Sequence, residues 1–425
     1  MQGRAGCLPD SRMLALHFSD NLNSVFPKMF ISRPISSISN TASLFLALIS
    51  ILLAIWIVAP APAYYIWMLA VATSEWSLWI GLAALISIFL AVIGRYCGGG
   101  KKNLYLNTAL GGVALIISIY PLTTVIPVAR QEGISLSMTR YLTGLTTVQK
   151  PEKKEAVYAN IAERSLVSTV YFPGSGTVNN GASVIVVHGG SWSGGERDDF
   201  PQWNQWLSEN GFTVFDIDYR LSPQPNYLTA AGDVKCAVRW IKEHADKFNI
   251  DPDRIALYGR SAGGHLALLA AYAANEGRIP SSCSEDKAEG EVRAVISIYG
   301  VTDLLWSYDN PANQRVIDGP KTLSNFVGGD PHSSDAVREK FILASPVSYV
   351  SSAVPTLLIH GGTDQMVRAE NVSRLIEKLD EANVSHKELF IPYGQHGFDY
   401  NFYGWGSQIS QPVILDFLQK NTRPR

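Results

Sequence analysis

Gly259-Arg260-Ser261-Ala262-Gly263 has the G-x-S-x-G spacing of an activated serine. It directly follows the strand-like run RIALY and directly precedes an Ala/Leu-rich helical stretch, 262–275. A strand–turn–helix setting suits a nucleophile. The turn strains the serine backbone, and side chains two residues to either side would collide, so glycine flanks it. Ser261 then stands at a helix N-terminus, where backbone N–H groups favour developing negative charge. A serine hydroxyl still needs a base. Of eight histidines, only His396 follows a late strand in a polar, glycine-flanked loop, Tyr393-Gly394-Gln395-His396-Gly397-Phe398. Taken alone it reads as an ordinary loop histidine. The acid that orients it is expected at an earlier strand end. Asp364, in His360-Gly361-Gly362-Thr363-Asp364 after PTLLI, fits, and Asp303 is the second candidate. The order Ser, Asp, His agrees with the placement of all three. Acyl transfer also needs donors for an oxyanion, each worth about 3–4 kcal/mol. His188-Gly189-Gly190-Ser191-Trp192 follows the strand-like SVIVV. Gly189 and Gly190 can approach an oxygen closely, and the N–H of Ala262 is the expected second source. Ser191 competes with Gly190 as a loop donor. His188 and His265 read as structural.

These residues need a scaffold, and the pattern supplies one. Strands are expected at 183–187, 213–218, 254–258, 292–298, 355–359 and 387–391. Helices are expected at 201–210, 233–245, 262–275, 367–382 and 411–420. Repeated β-then-α units give an α/β class: a mainly parallel sheet with helices on both faces. Residues 301–350 have weak periodicity and are expected to form a small lid and acyl pocket over the C-terminal edge of the strands. The run QKPEKKE, 149–155, reads as a solvated linker.

Charged residues are 17% of the 425, against about 25% in a typical soluble chain. The deficit lies at the front: residues 34–74, 76–94 and 103–129 contain no Asp, Glu, Lys or Arg. About 20 apolar residues in a helix cross a hydrocarbon core. Spans are therefore expected at 42–59, 76–93 and 104–127, with 63–73 too short to cross and placed at the interface. Lys28 and Arg33 precede the first span, and Arg95, Lys101 and Lys102 lie between the second and third. Basic residues stay on the cytoplasmic side, so three crossings put everything after residue 130 outside. A net charge of −2 excludes a basic nucleic-acid binder on bulk electrostatics. Four cysteines without C-x-x-C spacing exclude a disulfide scaffold and a cysteine-based zinc site. A Cys236–Cys283 pairing stays open.

The HGG-x-W loop, DYRLSP (218–223), GRSAGGH (259–265), ASPVSYVS (344–351), HGGTDQMV (360–367) and GQHGF (394–398) resemble an α/β-hydrolase of the carboxylesterase kind, near the hormone-sensitive-lipase-like group. The resemblance covers roughly 160–421. With the membrane segment, the loop is also similar to prenylcysteine methylesterases. The resemblance implies a Ser–His–Asp esterase without metal or organic cofactor, with Ser261, His396 and Asp364 in those roles. The expected organisation is an N-terminal tail (1–40), a membrane-spanning region (41–130), a linker (131–159) and a catalytic domain (160–425). The expected partners are a small-molecule or lipidic ester and the lipid bilayer. Acyl transfer or peptide cleavage by the same residues, and a non-catalytic binding module, are the alternatives. An intact His396 speaks against the last.

Overall fold

The computed structural model describes residues 33–144, 152–161, 164–174, 176–283 and 290–424. Lys28 and residues 149–151 lie outside them. The chain divides into two compact units, Met1–Ile51 with Leu82–Ala114, and Leu52–Gly81 with Leu115–Arg425.

The second unit holds an eight-stranded sheet: β1 (Lys153–Ile161), β2 (Arg164–Tyr171), β3 (Ser183–Val187), β4 (Thr213–Ile217), β5 (Ile255–Arg260), β6 (Ala294–Ile298), β7 (Thr356–Gly361) and β8 (His386–Ile391). Their order is β1-β2-β4-β3-β5-β6-β7-β8. β1 and β2 run antiparallel to their neighbours, and β3 to β8 are parallel. Every residue of β3, β4, β5 and β6 is buried. Strands covered on both faces must read as unbroken apolar runs, and for that reason the sequence locates them within a residue or two.

β1 departs from expectation. Lys153-Lys154-Glu155 is not linker but the start of the outermost strand, paired with Val170–Tyr171 and Thr169. Only Tyr158 of β1 is buried. An edge strand that carries charge to discourage further pairing is indistinguishable by composition from a solvated connector. The same stretch holds a short helix, Met138–Thr143, capped by the Ser137 hydroxyl. Its buried Tyr141 stacks on Trp405 with ring centroids 4.3 Å apart.

Helices Pro201–Glu209, Tyr227–Glu243, Ala262–Tyr272, Ala369–Glu381 and Trp405–Asn421 cover the sheet. Between β6 and β7 lie Leu304–Asp309, Gly319–Val327, Asp335–Leu343 and a 3-10 turn, Pro346–Ser352. Cys236, on the helix after β4, is joined to Cys283 by a disulfide.

Among the described residues three helices are long and apolar enough to cross a membrane: Pro34–Val58, Ser77–Tyr96 and Lys101–Gln131, with mean hydropathies of 2.6, 2.3 and 2.0. The third runs through Pro121 and Pro127. Tyr64–Glu75 is a helix of 12 residues, too short to cross. Within the first unit, Ser43 Oγ donates to the Ser87 carbonyl at 2.8 Å and Ser87 Oγ donates to the Ser43 carbonyl at 2.9 Å. The two reciprocal bonds join the first and second of these helices.

Candidate active site

β5 ends at Arg260, and Ser261 follows with φ +54° and ψ −122°, a strained turn outside the usual regions. A Cβ on Gly259 would strike the Gly263 carbonyl, and one on Gly263 would strike the carbonyls of Val187 and His188. Both positions therefore require glycine. The Ser261 N–H is fixed to the Ile298 carbonyl at 2.9 Å.

His396 and Asp364 come from the loops after β8 and β7. His396 Nε2 is 2.8 Å from Ser261 Oγ, and His396 Nδ1 is 2.7 Å from Asp364 Oδ2. The other carboxylate oxygen, Asp364 Oδ1, accepts the N–H groups of Met366 (2.8 Å) and Val367 (2.9 Å). Burial pushes the Asp364 pKa up, but His396, His360 and the backbone donors outweigh it and hold the carboxyl below its ordinary value. An ionised acid then faces Nδ1, leaving Nε2 to accept the serine proton. Asp303 lies elsewhere. It caps Leu304–Asp309 by accepting the Trp306 N–H, and it pairs with Arg374 at 3.1 Å.

The loop after β3 passes close to the serine: a Cβ on Gly189 would lie 3.3 Å from Ser261 Cβ. No hydrogen bond among the described residues uses the N–H of Gly189, Gly190 or Ala262. Ser191 and Trp192 take φ of +52° and +59°, a conformation that side chains rarely adopt without a constraint. The constraint lies in Trp192. Its indole N–H donates to His265 Nδ1 at 3.0 Å, its ring stacks on Phe326 at 4.3 Å, and Asn226 Nδ2 donates to its carbonyl at 2.8 Å. His265 Nε2 faces the Ala344 carbonyl at 2.7 Å. His265 thus accepts at one nitrogen and donates at the other, and burial lowers its pKa to about 4. His188 donates Nδ1–H to the Gly189 carbonyl at 2.7 Å and stacks on Tyr219. Both histidines are structural, as expected.

A small cavity, about 60 Å³, opens on Ser261 and His396. Val301, Pro311, Ala312, Ile317, Leu323, Met366 and Val367 give it apolar walls. Most of these belong to the segment between β6 and β7, expected to be lid and pocket. Among the described residues no group of three or more His, Cys, Asp or Glu is placed to hold a metal.

Several supporting residues escaped the sequence reading. Arg260 Nε donates to Asp399 Oδ2 at 2.6 Å, with both side chains buried. Tyr299 OH donates to Asp399 Oδ1 at 2.5 Å, and the Tyr299 ring lies 4.4 Å from that of His396. One buried ion pair thereby joins the residue before Ser261 to the loop that carries His396. The available signal was slight: an arginine inside the G-x-S-x-G motif and an aspartate three residues after His396.

A family model described as BD-FAE matches residues 169–379. The chain is 33% identical over 255 residues to the ethyl acetate hydrolase of Pseudomonas putida, covering 57% of this chain and 74% of that one. It is 32% identical over 218 residues to the probable carboxylic ester hydrolase LipM of Mycobacterium tuberculosis, covering 50% of this chain. It spans about half of LipM's own length, 48%. Among solved structures, esterase 2 of Thermogutta terrifontis, phosphonylated by sarin, superposes with a TM-score of 0.53 at 21% identity. That match covers 65% of this chain and 99% of that one, and bears on the fold alone.

Proposed function

Because the chain belongs to the α/β-hydrolase family of carboxylic ester hydrolases, we propose that it is a membrane-anchored serine hydrolase that cleaves carboxylic esters at Ser261. The observation that carries this reading is the unbroken relay from Ser261 Oγ through His396 to Asp364 at the wall of an apolar cavity. As Oγ attacks the ester carbonyl, its proton passes to His396 Nε2, and Asp364 stabilises the imidazolium. The negative oxygen is met by the N–H of Ala262 and by the glycine loop, where Gly189 and Gly190 supply N–H groups. Collapse expels the alcohol, which takes the proton from His396. Water then repeats the sequence on the acyl-enzyme and releases the acid. The apolar walls suit an acyl chain, and the substrate class is a small or lipidic ester.

Two observations support an extracytoplasmic catalytic domain. The Cys236–Cys283 disulfide suits an oxidising compartment. Hydrogen bonds from the segment between the first two long helices to the catalytic loops, such as Ala61 N–H to Gln365 at 2.7 Å, favour both on one side of the bilayer, in keeping with three crossings. A membrane-impermeant fluorophosphonate applied to intact cells with any outer barrier removed tests both parts. Labelling of the wild type but not of Ser261→Ala is expected. Labelling only after lysis would reverse the sidedness, and no labelling at all would remove the hydrolase.

A further inference from the structure

The segment joining the first two long helices is hydrogen-bonded to the loop that carries Asp364 and to the flank of the one that carries His396. Ala61, 1% exposed, donates its N–H to Gln365 Oε1 at 2.7 Å and receives Asn313 Nδ2 on its carbonyl at 2.7 Å. Asn313 Nδ2 also donates to Gln365 Oε1 at 2.9 Å. Gln365 Nε2 donates to Gln395 Oε1 at 3.1 Å. Gln365 follows Asp364, and Gln395 precedes His396. A backbone N–H can only donate, so the Gln365 amide has one possible orientation here, with its oxygen toward Ala61 and its nitrogen toward Gln395. Pro60 and Pro62 restrict the backbone on either side of Ala61. At the far end of the segment, Asn401 Nδ2 donates to the Glu75 carbonyl at 3.2 Å, five residues past His396.

The two loops also meet nearer the sheet, where Thr363 N–H donates to the Gly394 carbonyl at 3.0 Å. That bond fixes the loop bases. Beyond it, the Gln365–Gln395 bond lies between the residues next to the acid and the base, and the other end of Gln365 rests on Ala61. Geometry at this point matters, because a misplacement of about 1 Å can cost about 100-fold in rate.

Resting on the hydrolase reading above, we propose that Gln365 is a positioning residue that holds Asp364 and His396 in reach of Ser261, and that it does so only while residues 60–62 are seated against it. The segment between the helices is then a working part of the active site and not a tether.

The test uses the full chain in lipid vesicles, with p-nitrophenyl butyrate as substrate and the rate of fluorophosphonate labelling as a second readout. Gln365→Ala is expected to lower kcat about tenfold with KM within about twofold, since the loss falls on alignment and not on binding. The acid limb of the kcat/KM profile should move to lower pH, because a loosened Asp364 stabilises the His396 imidazolium less. Asn313→Ala should lose less, and the double variant should be no slower than Gln365→Ala alone, as members of one chain are not additive. Ala61→Pro removes the N–H while keeping the carbonyl, and should reproduce the Gln365→Ala loss at an unchanged melting temperature. Gln365→Ala with kcat within twofold of wild type and an unmoved acid limb would overturn the proposal. So would a folded, fully active Ala61→Pro. A wild type that neither hydrolyses nor labels would instead overturn the hydrolase reading beneath it.

Discussion

Ser261 is held chiefly by its neighbours in sequence, the last residue of β5, two glycines and the first turn of Ala262–Tyr272, with one bond to Ile298 on the adjacent β6. Asp364 and His396 stand on loops after separate strands, and their partners come from across the chain. Ala61, Asn313 and Gln395 serve one loop, while Arg260, Tyr299 and Glu75 serve the other or its flank. The Ser261 turn is thus largely a local construction and the Asp364–His396 pair a long-range one. Changes far from the chemistry should spare the first and disturb the second.

The largest effect that sharpens this contrast is at the acid. Asp364→Asn should cut turnover on the order of 10⁴-fold, as an amide holds the wrong imidazole tautomer. Asp303→Asn, which keeps an acceptor for the helix cap and loses only the charge pairing with a half-exposed Arg374, should do far less. Reversed outcomes in steady-state kinetics would mean that the acid was assigned to the wrong strand end.

An intermediate effect is expected from Asp399→Asn. It leaves the buried Arg260 guanidinium without its charge partner, a loss of about 3–5 kcal/mol in stability. It also frees the loop behind His396, so kcat should fall about 10- to 100-fold. Denaturant unfolding and kinetics on the same preparation measure both. If stability falls and kcat does not, Asp399 serves the fold alone, and the long-range account of the base loses one of its members.

The smallest effect on neutral-pH activity concerns His265, under the glycine loop. Its pKa is lowered by burial to about 4, against about 6.5 for a free histidine. A group depressed on folding contributes stability that is complete above the unfolded value and is lost as pH falls through the folded one. The wild type should therefore lose on the order of 3 kcal/mol between about pH 6.5 and 4 from this group, as protonation of Nδ1 breaks the bond from Trp192. His265→Gln should be less stable at pH 7 but should decline less steeply over the same window in a melting-temperature series. An equally steep decline would place the acid-sensitive group elsewhere.

The same division explains what the sequence made legible. Ser261, the glycines beside it and the loop of Gly189 and Gly190 were readable because their constraint is local and recorded in consecutive residues. The buried strands were readable because parallel strands are apolar throughout. Asp364 and His396 were readable only through strand ends and motif order. Gln365 and Asn313 had no signal of their own and Asp399 only a slight one, being polar side chains whose partners lie 30 to 304 residues away in the chain. β1 was lost for the opposite reason. It faces solvent, so its charges resemble a connector, and only its pairing with β2 distinguishes it.

Hydrolysis of p-nitrophenyl butyrate by the full chain and by Ser261→Ala, compared at matched melting temperatures, decides whether Ser261 is the nucleophile of an ester hydrolase. The wild type should turn over and the variant should fall to the uncatalysed background, with the fold intact because a single hydroxyl is removed. Near-wild-type turnover by Ser261→Ala would contradict that role.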